Sequence, residues 1–471
     1  MSDDKPNILI IICDQLTQRA IGAYGSDYGA TPNIDALAED GITFSNSYTA
    51  CPLCKPSRAA FWTGHYPHQT RVMSNGSQCP NYEIPEDLPK LGMKFKEAGY
   101  KRRHYGKTHD HGSLKGFRKA VSLVGKPETH SAWPVNNDSK CDVHTTKRVL
   151  RFLKWNRREP YIAVADLHNP HNICGYVGAN EGPHEDSPIP TELPELPPNF
   201  NIDDMEKRPK PVQYVCCSHR RLSQAAKWNE ENYRHYIAAY YHYTSMVDRQ
   251  IGEIIDALKK RGDYENTLIV FMADHGDGMA NHRMVTKQVT LYEETTRIPF
   301  IMAGPLVKQK GVVIEDTLVS LLDLFPTLCD VADIPIPEGL EGQSLAPFIR
   351  GEDADIDRDY VVSEWFSEWC FTISPGRMIR TSRYKYIRYL EGNGEELYDL
   401  ENDPYETKTL HDDADYAEVM KEHRALLEKH IEETNDPFYD LPVKADSRWR
   451  SHPVGYQNHT GTCAPSADGN K

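Results

Sequence analysis

Three stretches of the chain share one pattern, an unbroken apolar run closed by ionisable side chains. NILIIIC, Asn7–Cys13, ends at Asp14-Gln15; YIAVADL, Tyr161–Leu167, ends at His168-Asn169-Pro170-His171; TLIVFMA, Thr267–Ala273, ends at Asp274-His275-Gly276-Asp277-Gly278. Apolar, β-branched runs without alternation are the pattern of strands buried on both faces of a parallel sheet. In open α/β sheets the ligand crevice lies outside the carboxyl ends of the strands, so these polar tips are candidates for chemistry. Asp14 alone could equally be a helix cap, but three such tips are hard to attribute to independent accidents.

Between these runs the pattern changes period. Residues 31–38 have a proline entrance and helical apolar spacing, 41–47 read as a short strand, 88–99 as a helix closed by glycine and 100–105 as a strand. Tyr240, Tyr243, Val247, Ile251, Ile254 and Leu258 recur at intervals of three and four, which predicts an amphipathic helix over about 232–260 with a core-facing stripe. Residues 191–211, rich in proline and acid, read as a long surface insertion. Beyond Gly351 the composition shifts: 377–389 alternate basic and apolar residues like antiparallel strands, 416–433 read as a helix, and 447–471 as a loosely packed tail. The expected division is a major α/β domain over 1–350, a mostly parallel central sheet between helices, and a small α+β subdomain with an antiparallel sheet over 351–471.

A chain of 471 residues has room for both. Its net charge of −15 argues against nucleic acid as a partner and makes any basic cluster beside a pocket more informative. Eleven cysteines, an odd number without a repeating framework, do not look like a disulfide scaffold. No apolar run reaches about eighteen residues, so no membrane span is expected. The first residues lead almost directly into a strand without the features of a leader, so the sequence reads as cytoplasmic as it stands, or periplasmic if a leader has been removed.

Cys51 to Gly64, CPLCKPSRAAFWTG, concentrates the candidate chemistry. Lys55-Pro56-Ser57 reads as a helix entrance and Gly64 as its stop, which places Cys54 at a helix N-terminus, where unpaired N–H groups and the helix dipole favour anions. Arg58 adds a charge that cannot be titrated away. A nucleophile beside an anion cradle is what hydrolysis of a sulfate or phosphate ester requires. The C-x-x-C spacing also fits a redox dithiol or half of a zinc site, although no second C-x-x-C or H-x₃-H stands at a finger-like distance. Lys107 and His109, two apart, project to one side if the backbone stays extended; the basic run Lys101-Arg102-Arg103-His104 before them is a solvated edge or an anion-steering patch.

Cys54-Lys55-Pro56-Ser57-Arg58 followed by Thr63-Gly64 resembles the C-x-P-S-R-x(4)-T-G signature of the type I sulfatases, in the alkaline phosphatase superfamily. Gly106-Lys107-Thr108-His109 resembles that family's G-K-W-H segment with threonine in place of tryptophan. Residues 292–300 are similar to its Y-E-x-x-x-R-x-P-F, and 396–404 to the E-L-Y-D-L-x-x-D-P that ends its smaller domain. The resemblance implies an alkaline-phosphatase-like sandwich and hydrolysis of sulfate monoesters. It further implies that Cys54 is converted to formylglycine by a formylglycine-generating or anaerobic sulfatase-maturating enzyme. Ca²⁺, with Mg²⁺ or Mn²⁺ as alternatives, would be bound by Asp14, Gln15, Asp274, His275 and residue 54. Gln15 stands where a second aspartate is common and His275 where asparagine is common, a change that loosens calcium selectivity. Arg58, Lys107, His109, His171 and Lys287 are the implied catalytic set; His168, His282 and Arg283 are candidate substrate contacts. The N-P-H-N-I-C and D-H-G-D-G-x-x-x-H-R-x-x-x-K stretches look like those of bacterial glycan sulfatases, which makes a sulfated carbohydrate the expected substrate. Choline-sulfatase-like or aryl sulfatase activity, and phosphonate or phosphodiester hydrolysis, are the alternatives within the superfamily. A silent anion-binding protein is the expectation if Cys54 stays unmodified.

Overall fold

The computed structural model describes residues 5–75, 83–120, 140–155, 159–179, 192–201, 204, 207–209, 211–212, 225, 228–287, 290–353, 356–366, 374–390, 392 and 394–441. The expected tail over 447–471 and part of the 191–211 segment lie outside them.

The three apolar runs form adjacent strands: β1 (Asn7–Cys13), β5 (Tyr161–Leu167) and β6 (Thr267–Ala273), with β1 in the middle. Between and after them come β2 (Gly41–Tyr48), β3 (Lys101–Gly106), β4 (Arg118–Lys119), β7 (Phe300–Ala303) and β8 (Val312–Ser320), giving the order β4-β3-β5-β1-β6-β7-β2-β8. Only β7 among these runs against its neighbours. The side chains of β1 from Ile8 onward are shut off from solvent, because helices cover both faces of the sheet, and this explains why the run does not alternate.

Register does the functional work. Cys13 pairs with Leu167 on one side and Ala273 on the other, while Gly106 pairs with Asp166. Four strands thus end at one level, and Asp14, Lys107, His168 and Asp274 emerge along one rim. A Cβ at Gly106, whose φ is +102°, would collide with the Asp166 carbonyl, so glycine permits the close approach of β3 and β5 there.

The long helix is Glu230–Arg261, started by an Asn229 cap and stopped by left-handed Gly262. Residues 377–389 form a hairpin, β10 (Gly376–Arg380) and β11 (Tyr384–Tyr389), within an antiparallel sheet completed by β9 (Val361–Trp365) and β12 (Glu395–Asp399). The helix Ala417–Thr434 packs on it. This sheet shares a core with the first through Tyr48, Leu53 and Tyr292 against Trp365, Met378 and Tyr398. Within the described part of the 191–211 segment, Glu192, Glu195 and Lys207 are exposed as expected of a surface loop, but Asn199, Phe200 and Arg208 are buried, and Arg208 donates to the Tyr292 hydroxyl and to the Glu406 and Thr407 carbonyls. Among the described residues no helix is long and apolar enough to cross a membrane.

Candidate active site

Cys54 opens the helix Cys54–Thr63, whose stop is Gly64 at φ 72°. Leu53 precedes it in an extended conformation and offers no side-chain cap. The first-turn N–H groups are largely committed. Lys55 N–H donates to Asn75 Oδ1 and Ser57 N–H to the Leu53 carbonyl, while Pro56 has none. The positive field at Cys54 therefore comes from side chains more than from the backbone cradle expected of a helix start.

Those side chains converge on the Cys54 sulfur. Lys287 Nζ donates to it at 3.1 Å and Lys107 Nζ at 3.5 Å; His275 Nε2 lies 3.1 Å and Asp14 Oδ1 3.8 Å away. Lys107 is also ion-paired to Asp14. Against the burial that opposes ionisation, Lys107, Lys287 and His275 pull the thiol well below its ordinary range. His109 and His171 both reach Cys54, and burial, reinforced by Lys107, leaves each imidazole less basic than usual. His109 sits at φ 37° and Gln15 at φ 67°, left-handed conformations that side chains other than glycine adopt at a cost of about 1–3 kcal/mol.

Arg58 does not face the opening. It is wholly buried and holds three carboxylates, with Nη2 to Asp14 at 3.0 Å, Nη1 to Asp166 at 2.5 Å and Nε to Asp274 at 2.9 Å. One guanidinium fork therefore fixes the tips of β1, β5 and β6 relative to the Cys54 helix. Ser57 Oγ, donating to the Asp274 carbonyl at 2.6 Å, adds a fourth tie.

Asp14, Cys54, Asp274 and His275 each offer a ligand atom, all within 4.8 Å of one another. The His275 ring has Nδ1 on the Gly276 carbonyl at 2.8 Å, which orients the ring and leaves Nε2 facing Cys54 as the candidate ligand atom. Two carboxylates and an oriented imidazole fit a divalent cation. The Gln15 side chain turns elsewhere: Nε2 donates to Asp277 Oδ2 at 2.6 Å, and its backbone N–H donates to Asp274 Oδ1 at 3.0 Å.

The His168 ring lies against that of His171, tilted by 40° with centroids 4.6 Å apart, and its backbone N–H is held by Asp142 at 2.5 Å. His282 and Arg283 are engaged by protein partners. The His282 ring stacks on Tyr292 at 4.3 Å and lies between Glu294 Oε1 and the Glu406 carbonyl, while Arg283 reaches Asn201 and covers Phe200.

Four further residues complete the pocket: Asp277, one of the polar tips, Tyr240, expected only as a core residue, and Asp166 and Asp142, to which sequence reasoning assigned no role. Asp166 receives Arg58 and His104; Asp277 receives Gln15 and the Tyr236 hydroxyl; Tyr240 donates to the Gln15 carbonyl at 2.5 Å; Asp142 holds the His168-Asn169 turn and is pushed up to about 7 by its burial. A signal for Asp166 was present, since a lone carboxylate inside a seven-residue buried strand needs a partner.

Comparison with known proteins agrees with this geometry. The profile of the Sulfatase family matches residues 6–334, and that of the N-sulphoglucosamine sulphohydrolase C-terminal region matches residues 280–433. A Delta 4,5-hexuronate-2-O-sulfatase from Bacteroides thetaiotaomicron is 53% identical over 461 residues, covering 98% of this chain and 96% of the relative. A solved 2-O GAG sulfatase superposes with a TM-score of 0.90 at 53% identity, over 95% of this chain and 96% of that one. The phosphonate monoester hydrolase of Agrobacterium radiobacter, at 24% identity and a TM-score of 0.76 over 91% and 96% of the two chains, shares the fold. A thiol on the signature helix, ringed by lysines and histidines at the ends of the expected strands, and a profile match over most of the length lead to one conclusion: this chain belongs to the sulfatase family of the alkaline phosphatase superfamily and is a sulfuric ester hydrolase.

Proposed function

We propose that this sulfatase removes the 2-O-sulfate of a hexuronate in an anionic glycan, with formylglycine at position 54 and a divalent cation held by Asp14, Asp274, His275 and residue 54. The observation that carries the chemistry is the convergence of Lys107, Lys287, His109 and His171 on Cys54. The choice of sugar rests on the 53% identity to a relative named for that specificity. When bound, the cation supplies charge neutralisation for the sulfate oxygens, and formylglycine, made by a maturating enzyme, supplies geminal hydroxyls of which one attacks sulfur. Ca²⁺ is the family's usual ion, and the imidazole of His275 admits Mg²⁺ or Mn²⁺ as well.

The remaining roles fall to the chain's own groups. Arg58 is spent on three carboxylates and fixes the ligands in place. Lys107 lies between Asp14 and residue 54 and stabilises negative charge on the attacking oxygen. Lys287 holds a sulfate oxygen from the buried side. The His171 side chain is 24% exposed, so a departing alcohol beside it has a path to solvent. The charge of the incoming sulfate raises the basicity of His171, which then protonates the departing oxygen. His109, neutral at pH 7, takes the proton of the second hydroxyl so that the aldehyde re-forms and sulfate departs.

The test uses unsaturated disaccharides bearing one sulfate each, on the uronate 2-oxygen or on the amino sugar 6-oxygen, with sulfate release followed by chromatography. Release from the 2-O isomer alone is expected. Preferential release from the 6-O isomer would overturn the assignment, and mass spectrometry of the residue-54 peptide reads the conversion of Cys54 directly.

A further inference from the structure

The basic run at β3 divides in the structure. His104 turns inward to Asp166 at 3.2 Å, Arg102 is spent on the Gly116 and Tyr100 carbonyls, and Arg103 points into a separate cavity of about 330 Å³ at the sheet edge. Arg118 and Lys119 of β4 line that cavity, as do Arg148 and Arg151 of the helix Lys140–Leu153, with Trp155 just beyond the helix end. The spacing from 148 to 151 to 155 places these three on one side of the helical stretch. Tyr105 and Phe152, ring centroids 5.9 Å apart, pack beneath.

Two features make this a binding site for something anionic and ring-shaped. Lys119 pairs with Asp110 at 3.4 Å, but Arg103, Arg118, Arg148 and Arg151 have no carboxylate within ion-pair distance among the described residues. Four uncompensated guanidinium groups on a chain of net charge −15 are a local reversal of sign. Their planar forks match sulfate and carboxylate groups in a bidentate manner. Beside them the Trp155 indole is 59% exposed, the largest exposure of the big apolar side chains among the described residues, and offers a flat face to a sugar ring. Arg103 and Tyr105 project to one side of the extended β3 strand, whose chain continues through Gly106 to Lys107 of the active site.

We propose that this edge cavity is a second binding site for a sulfated, uronate-containing glycan chain, gripping the polymer away from the residue being desulfated. The identity of the ligand rests on the proposed function; the anion binding does not. A second contact on the same polymer raises affinity for long chains and leaves affinity for a disaccharide unchanged.

The experiment uses full-length protein with Cys54→Ala, so that binding is read without turnover. Calorimetry compares a size-defined sulfated hexasaccharide, the matching disaccharide, and linear polyphosphate. Arg118→Glu with Arg151→Glu is expected to weaken hexasaccharide binding by roughly tenfold or more. In protein retaining Cys54, the same pair should leave disaccharide kcat/KM within about twofold, since no charge-assisted bond to the smaller substrate is lost. Trp155→Ala is expected to weaken the hexasaccharide and to leave polyphosphate unaffected. Unchanged hexasaccharide affinity in the double variant overturns the site. Parallel losses for polyphosphate with Trp155→Ala silent overturn the glycan assignment in favour of an unselective polyanion patch. Should the enzyme fail to cleave 2-O-sulfated disaccharides, the function above is refuted while this binding measurement still stands.

Discussion

Two buried charge clusters in this protein contain the same kinds of side chain and behave in opposite ways. At the strand tips Asp14, Asp274 and His275 gather around Cys54; between the Pro67–Thr70 turn of helix and the C-terminal sheet, His68, Glu364 and Asp436 lie equally close together. In the second cluster every charge is closed on a protein partner. Asp436 receives Arg377 through Nε at 2.6 Å and Nη2 at 2.8 Å, while Glu364 receives both the Nδ1 of His68 at 2.6 Å and its backbone N–H at 3.0 Å. In the first, Arg58 occupies one edge of the carboxylates. Asp14 Oδ1, His275 Nε2 and two lysines remain directed at residue 54. Proximity of ligands does not distinguish a centre for chemistry from a structural staple. What distinguishes them is whether the strongest counter-charge fills the middle or leaves it open.

The largest effect expected from this comparison is catalytic and one-sided. Cys54→Ala should bring sulfate release down to the uncatalysed level. His109→Ala should lower steady-state turnover by about 10²–10⁴ and show a burst of one alcohol per enzyme in rapid quench, because a base assists only the second step. Arg377→Met should leave kcat unchanged wherever the protein stays folded. A His109→Ala enzyme turning over at the wild-type rate would remove its assigned role.

Next come the two arginines themselves. Removing either one strands buried carboxylates, at a cost of about 3–5 kcal/mol in denaturant unfolding. The second cluster should be repairable: Arg377→Met combined with Asp436→Leu should recover most of the loss, since an apolar pair of similar volume is often neutral. Arg58→Met combined with any one carboxylate change should not recover, because two anions remain. Full recovery at Arg58 would show that its cluster is closed like the other.

Cation binding sharpens the contrast. Saturating Ca²⁺, at about a hundred times its dissociation constant, should stabilise the folded protein by about 2.7 kcal/mol in a thermal scan, and chelation should remove both that increment and activity. Asp14→Asn with Asp274→Asn should abolish the shift and Glu364→Gln should not. Loss of the shift in the Glu364 variant would relocate the ion.

The smallest effect is the pH dependence that the closed cluster contributes. Burial, helped by the cations of His68 and Arg377 against Glu364 and Asp436, depresses His430 to about 4. The unfolded chain, with an ordinary imidazole near 6.5, then binds the proton first, so stability is lost as pH falls from about 6.5 toward 4, at most about 1.4 kcal/mol per unit. His68 has the opposite sign. Although its burial works against charging, Glu364 raises it, and its contribution is present in acid and lost as pH rises through its folded value. His430→Asn should flatten the acid limb of the Tm–pH curve, and His68→Gln the neutral limb.

The active-site cluster was the more legible of the two. The apolar runs, the helix start at Cys54 and the tips Asp14, His168 and Asp274 are visible because burial on both faces and helix entry leave local marks a few residues long. Lys107, His109 and Lys287 needed the family resemblance, since neighbouring residues do not tell a lysine at a pocket from one at a surface. Nothing local announces that Arg58 is spent on three carboxylates, that Gln15 turns to Asp277, or that His282 is held by Glu294 and the Glu406 carbonyl. The same holds for Arg208: the proline and acid content around it marks irregular backbone, but Arg208 finds Tyr292 only once the second sheet is packed on the first.

Strand, helix and punctuation were already written in the order of residues, because apolar periodicity and backbone preference act over one or two turns. The assignment of each charge to a partner was not, because the partners of Arg58 lie 44, 108 and 216 positions away along the chain. A buried ion is stable only where several distant strands end at the same level, so packing alone could make one cluster an open centre and the other a closed clasp.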